Sequence, residues 1–201
     1  MMVTPEDVLA FWLGETPGNP QRLKAKTKLW FIKSFETDQE IAERFLPVMA
    51  ALASGLSDEW AARGPQGRLA AIIALDQFNR NVFRNHHYAF AQDPLARALM
   101  RDGLERGEDK GLSEPERIFF YLPAEHSEDI VDQDLSVKLF TQLTEEARPD
   151  YHDFCRNTLD YAHEHKDVIE QFGRFPHRNG ILQRPSTPEE KDYLSRPGAG
   201  F

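Results

Sequence analysis

One cysteine in 201 residues excludes an internal disulfide. Cys155 stands among Tyr151, Phe154 and Leu159, which reads as a small buried hydrophobe in a reducing compartment. Positive charge is also short. The 24 Lys and Arg face 33 Asp and Glu, a formal net charge of -9. Nucleic acid and anionic membranes, which both require a basic field, are therefore not expected as partners, while a focused basic pocket stays permitted. The longest uninterrupted apolar run, Leu69 to Leu75, falls far below the roughly 20 residues that a spanning helix needs. The N-terminal stretch carries Glu6 and Asp7 where a secretory signal would carry Lys or Arg, so a cytoplasmic location is expected.

Strand patterning is missing too, because no run alternates apolar and polar residues. There is no glycine-rich phosphate loop, no Gly-x-Ser-x-Gly elbow and no dinucleotide fingerprint, so no cofactor is expected. No metal is expected either. His163 and His165 lie two apart on a helix and point about 200° from each other, whereas helical zinc ligands sit four apart. His86-His87 fare no better.

What is present is helical. The 40% hydrophobic and 28% charged content fits a folded globular chain. A chain of this size buries about 70% of its unfolded surface, enough for one domain over residues 1–201. Thr4-Pro5-Asp7, Asp38, Asp93-Pro94, Ser113-Glu114-Pro115-Glu116, Ser127, Pro149 and Thr187-Pro188-Glu189-Glu190 read as helix starts. Gly14, Gly55, Gly107 and Gly173 read as stops, with a kink expected at Pro47 and a bend or end at Pro123. Leu29, Trp30, Phe31, Ile32 and Phe35 are expected to supply an aromatic anchor on the second helix. About nine or ten helices, all-α, in antiparallel pairs is the predicted architecture.

The central stretch RLAAIIALDQFNRNVFR, residues 68 to 84, is apolar on two sides, which predicts a buried helix. Asp76 and Arg80 fall four residues apart on its apolar stripe, where an unpaired charge is costly, so a buried pair is predicted. Arg84 follows one turn later. Glu125-His126-Ser127-Glu128-Asp129 comes directly after Pro123. Acids suit a helix N-terminus, but His126 titrates near neutrality and can serve as acid or base. Phe172-Gly173-Arg174-Phe175-Pro176-His177-Arg178-Asn179-Gly180 gathers two arginines and a histidine behind a long helix, more cations than one C-terminal cap requires.

DQFNRNVFR (76 to 84), HSED (126 to 129), FGRFPHRN (172 to 179) and TPEE (187 to 190) together resemble a widespread, mostly bacterial family, domain of unknown function 924. The resemblance covers nearly the whole chain. It implies a helical fold similar to tetratricopeptide repeats and no established activity. The chain departs from the family in having Ala124-Glu125 before HSED, where apolar residues are usual, and Gln183 where glycine is usual.

The leading expectation is a protein that binds an anionic small molecule or peptide carboxylate in a cleft lined by Arg84, Arg174, His177 and Arg178, with Arg80 and His126 nearby. A hydrolase-like enzyme using His126 and Glu128 as acid-base groups is the alternative. A scaffold that docks partner helices is the third reading. The residues leave open whether the chain is an enzyme.

Overall fold

The computed structural model describes residues 2–200, so Met1 and Phe201 lie outside the described residues. Three capping boxes fix helix starts locally. Thr4 with Asp7 opens α1 (Pro5–Trp12), Ser113 with Glu116 opens α8 (Glu114–Glu125), and Thr187 with Glu190 opens α11 (Pro188–Leu194). The remaining α-helical segments are α2 (Leu23–Phe31), α3 (Phe35–Ala51), α4 (Ser57–Ala61), α5 (Pro65–Ile73), α6 (Asn79–Val82), α7 (Asp93–Glu105), α9 (Ile130–Glu146) and α10 (Pro149–Phe172). Among the described residues no strand occurs, and joining the segments that π-turns connect leaves nine helices. None of them is long and apolar enough to cross a membrane.

The central stretch is one buried rod. Every residue from Leu69 to Leu75 is fully buried, as is Phe78, with α1, α4, α7 and α8 packed around it. The rod is not a uniform α-helix, because residues Ala74–Phe78 form a π-turn between α5 and α6. Such a turn widens the backbone and weakens its hydrogen bonding. Asn79 compensates, its buried Nδ2 donating to Leu75 O at 2.8 Å and to Ala74 O at 3.3 Å. Helix α8 is the second buried rod, with every residue from Glu114 to Glu125 inside. Short connections carry the chain from α8 to α9 and from α9 to α10, and consecutive members pack on each other, as antiparallel neighbours do.

Close packing sets one glycine. A Cβ placed on Gly67 would lie 2.1 Å from the carbonyl oxygen of Trp60, a backbone atom that cannot swing away. Gly67→Ala is therefore expected to cost roughly 1–3 kcal/mol despite the better helix propensity of alanine. A urea melt shows this as a lower midpoint at unchanged slope.

Several local expectations are corrected. Ser34, not Asp38, caps α3 by accepting from Thr37 N. Pro47 sits within α3, and the kink comes instead at Gly55, whose φ of 117° is non-helical between α3 and α4. Pro123 does not end α8, which continues to Glu125. Asp129 rather than Ser127 caps α9 through Val131 N. Of the aromatic anchor only Trp30 is buried, edge-to-face with Phe119 at 4.9 Å between ring centres and donating from Nε1 to Trp12 O at 2.9 Å. Phe31, Ile32 and Phe35 are exposed because α2 ends there and the chain turns outward into α3.

Candidate functional site

Asp76 sits on the π-turn at 1% exposure and is surrounded by donors. Its Oδ1 lies 3.0 Å from Arg80 Nη1, which donates to the Asp76 backbone carbonyl, and 2.9 Å from His126 Nδ1, while Oδ2 accepts from Gln77 Nε2 at 2.6 Å. Arg80 turns its other edge to Asp93, the first residue of α7, in a bidentate pair at 2.9 and 2.9 Å. The predicted Asp76–Arg80 pair is thus present, as part of a larger chain of charges. Burial opposes ionisation of Asp76, yet Arg80 and His126 outweigh it and hold the carboxyl well below the usual carboxylate range.

His126 is the residue just beyond α8 and lines a solvent-open cleft of about 1060 Å³. Desolvation, followed by the Arg80 charge, lowers its pKa, with Asp76 opposing. The ring is therefore neutral at pH 7. With Asp76 ionised, the proton belongs on Nδ1, where it is donated to Oδ1. That leaves the lone pair on Nε2 of a cleft-lining residue, and no described residue hydrogen-bonds to it.

Arg178 forms the inner wall. Its guanidinium is clamped between the rings of Phe90, at 4.6 Å, and Phe175, at 4.4 Å. Nη1 donates to His126 O at 3.0 Å and stands 3.9 Å from Asp93, whereas Nε is buried without a partner. Burial, then the nearby Arg80, pulls this arginine down to about 10. It is an under-compensated cation, since Nη1 spends itself on a backbone carbonyl and Nε has no acceptor.

Behind His126 lies a second buried layer. Glu125 is 4% exposed, and burial followed by the Asp76 charge pushes its carboxyl up to about 8. Oε2 has no partner. Oε1 lies 3.5 Å from His165 Nδ1. Distance alone would suggest an ion pair. Burial drives His165 down to about 3, and its Nδ1 lies 2.8 Å from Tyr161 O, so both members of the contact are neutral at pH 7.

The other expected site residues separate. Arg84 pairs with Asp38 of α3 at 2.7 Å, away from the cleft, and Arg174 pairs with Glu190 of α11 at 2.6 Å. Both are anchored to carboxylates distant in sequence, which a local reading of the cations misses. His177 stacks on Phe175 at 5.6 Å between ring centres and, through burial and then Arg178, drops to about 4. Glu128 lines the cleft but accepts from Arg184 at 2.6 and 2.9 Å and from Phe175 N at 2.8 Å. His126, Glu128 and Arg178 are therefore brought to one cleft, while Arg80 stands behind it and Arg84, Arg174 and His177 do not line it. Phe90 and Arg184 were not singled out in sequence, and Asp93 was read only as a helix start. Among the described residues no group of three or more His, Cys, Asp or Glu is arranged to hold a metal ion.

The Glu128–Arg184 pair gives a first test of these roles. Glu128→Gln is expected to cost roughly 1–2 kcal/mol by releasing the loop after α10. Faster hydrogen exchange at Phe175 N would report that release.

A family model described as a bacterial protein of unknown function, DUF924, matches residues 8–198. The chain belongs to the DUF924 family. A solved structure of a protein of unknown function, ATU0120 from Agrobacterium tumefaciens, superposes with a TM-score of 0.80 at 39% identity. The match covers 95% of this chain and 96% of that one. The sequence matches no curated protein. Of the residues read in the sequence as departures from the resemblance, Glu125 is the buried carboxyl behind His126, and Gln183 adopts a φ of 54°, the left-handed region where glycine is free of strain. The stretches DQFNRNVFR, HSED and FGRFPHRN of this chain supply Asp76, His126 and Arg178, with His126 in contact with both of the others.

Proposed function

We propose that the cleft binds a small carboxylate and acts on it by acid-base chemistry of the hydrolase type. Arg178 is the anchor, His126 the general base and Asp76 its positioning residue. The observation that carries this reading is the 2.9 Å contact between His126 Nδ1 and the buried Asp76, which sets the tautomer and leaves Nε2 basic. Nε2 takes a proton from water, the resulting hydroxide attacks an acyl carbon, and the same proton passes to the leaving group as the acyl bond breaks. Glu128, occupied by Arg184, has no part in this step. Anion binding by Arg84 or Arg174 has no support in this arrangement, since each is already paired.

A screen of ester and amide carboxylates for turnover, run on wild type and His126→Gln, tests the proposal. The expected loss in kcat is about 10²-fold or more, with a pH profile that rises as the histidine deprotonates. Turnover that survives in His126→Gln would remove His126 as the base.

A further inference from the structure

We propose that the ligand of this cleft is a zwitterion, in the manner of a short peptide, with its carboxylate on Arg178 and its protonated amine at the mouth between Asp129 and Glu170. This rests on the reading of the cleft as a small-carboxylate site and names the class of molecule it takes. Three observations support it.

The first is the buried anchor. Arg178 is 6% exposed, lines the cleft, and has a buried Nε that no protein acceptor meets. One arginine short of an acceptor suits one carboxylate. Asp93 and Glu128 line the same cleft and its other arginine, Arg97, lies 3.6 Å from Asp132, so a dianion such as phosphate would meet one under-compensated arginine and several carboxylates. A monoanionic end is favoured.

The second is the order of charge with depth. Arg178 is buried, His126 is half-buried, and Asp129 and Glu170 are exposed on the same cleft. Among the described residues Asp129 forms no ion pair and spends one oxygen on Val131 N at 2.9 Å. Among the same residues Glu170 pairs with Lys166 alone, one turn away at 3.4 Å, a surface pair of little weight. A cation held at the mouth gains from both acids.

The third is the wall between the two ends. Phe90, Pro94, Ile130, Ile169 and Leu182 make it apolar, which suits the side chains of a hydrophobic peptide.

The test is calorimetric binding of leucine, dileucine and trileucine at matched ionic strength. Each is compared with its N-acetyl form, which lacks the amine charge, and with its amide, which lacks the carboxylate. At least one free peptide is expected to bind, with acetylation weakening it about five-fold and amidation ten-fold or more. The double variant Asp129→Asn/Glu170→Gln is expected to erase the acetylation difference alone, since asparagine still caps α9. Arg178→Gln is expected to erase the amidation difference. Equal affinity for free and acetylated peptides, an acetylation difference that persists in the double variant, or no binding by any of the three would overturn the proposal. His126→Gln removes no charge from the cleft at pH 7 and separates the two readings. If it binds the free peptides as wild type does while wild type turns nothing over, the zwitterion site stands and the hydrolase reading fails. If His126-dependent turnover occurs and acetylation is without effect, the converse holds.

Discussion

Asp76→Ala should destabilise the fold by roughly 3–5 kcal/mol at pH 7, the scale seen when one member of a buried charge network is deleted. The substitution leaves Gln77 Nε2 and His126 Nδ1 without their acceptor and halves the carboxylate support of Arg80, which retains only Asp93. The sign of its pH dependence follows from the lowered pKa of Asp76. A carboxyl depressed in the fold contributes stability that is complete above its unfolded value and is lost as pH falls toward the folded one. The deficit of the variant should therefore be full at neutrality and shrink in acid. Paired urea melts at pH 7 and pH 3 measure it, and near wild-type stability at pH 7 would mean that the charge network contributes nothing. Asp76→Asn separates stability from chemistry. Its amide can donate to Nδ1 and move the imidazole proton to Nε2, so turnover should fall about 10²-fold or more while much of the packing survives.

Glu125→Gln carries the opposite sign. The carboxyl ionises near 4.5 in an unfolded chain and near 8 in the fold. Between those values the unfolded chain releases a proton that the native state keeps, so the stability contributed by Glu125 is whole below the unfolded value and drains away as pH rises. Each pH unit is worth about 1.4 kcal/mol, so by pH 7 glutamine should be ahead by about 3 kcal/mol, less whatever its new amide N–H groups cost if they lack acceptors. The orphaned Gln133 Oε1 and Ser136 Oγ of α9 are buried acceptors on the helix that α8 packs against. His126, His165 and His177, all lowered by burial, destabilise the native state in acid and are shared by both proteins, so the difference between the two melts isolates Glu125. A difference that does not grow between pH 5 and pH 8 would show that Glu125 is ionised in the fold.

These two residues mark how far the sequence could be read. Caps at Thr4, Ser113 and Thr187 were legible because donor and acceptor lie three residues apart, inside one turn. Asp38 and Ser127 were misread as caps because each has a distant claim on it. Asp38 holds Arg84 and Asn81 at 2.7 and 2.8 Å, and Ser127 Oγ donates to Asp132 at 2.6 Å. Asp76 with Arg80 was legible from helical spacing, but its bond to His126 spans 50 positions and leaves no periodic trace. Glu125 looked like an ordinary acid ahead of a helix start, because nothing local says that Pro123 fails to end α8. Arg178 was grouped with Arg84 and Arg174, because a sequence shows cations without the carboxylates that will neutralise them.

The π-turn at Ala74–Phe78 is, in length, a helix carrying one residue more than its turns require. The wider turn absorbs that residue, so Arg80 beyond it keeps nearly the heading it would have on a regular rod. Asp76 lies inside the turn and 2.9 Å from His126, so a deletion that tightened the turn would shift this carboxylate against its partner while leaving the apolar composition of the rod nearly intact. The place of Asp76 is thus set by the width of one turn, and a single-codon loss in this stretch would spare the core and still disturb the site.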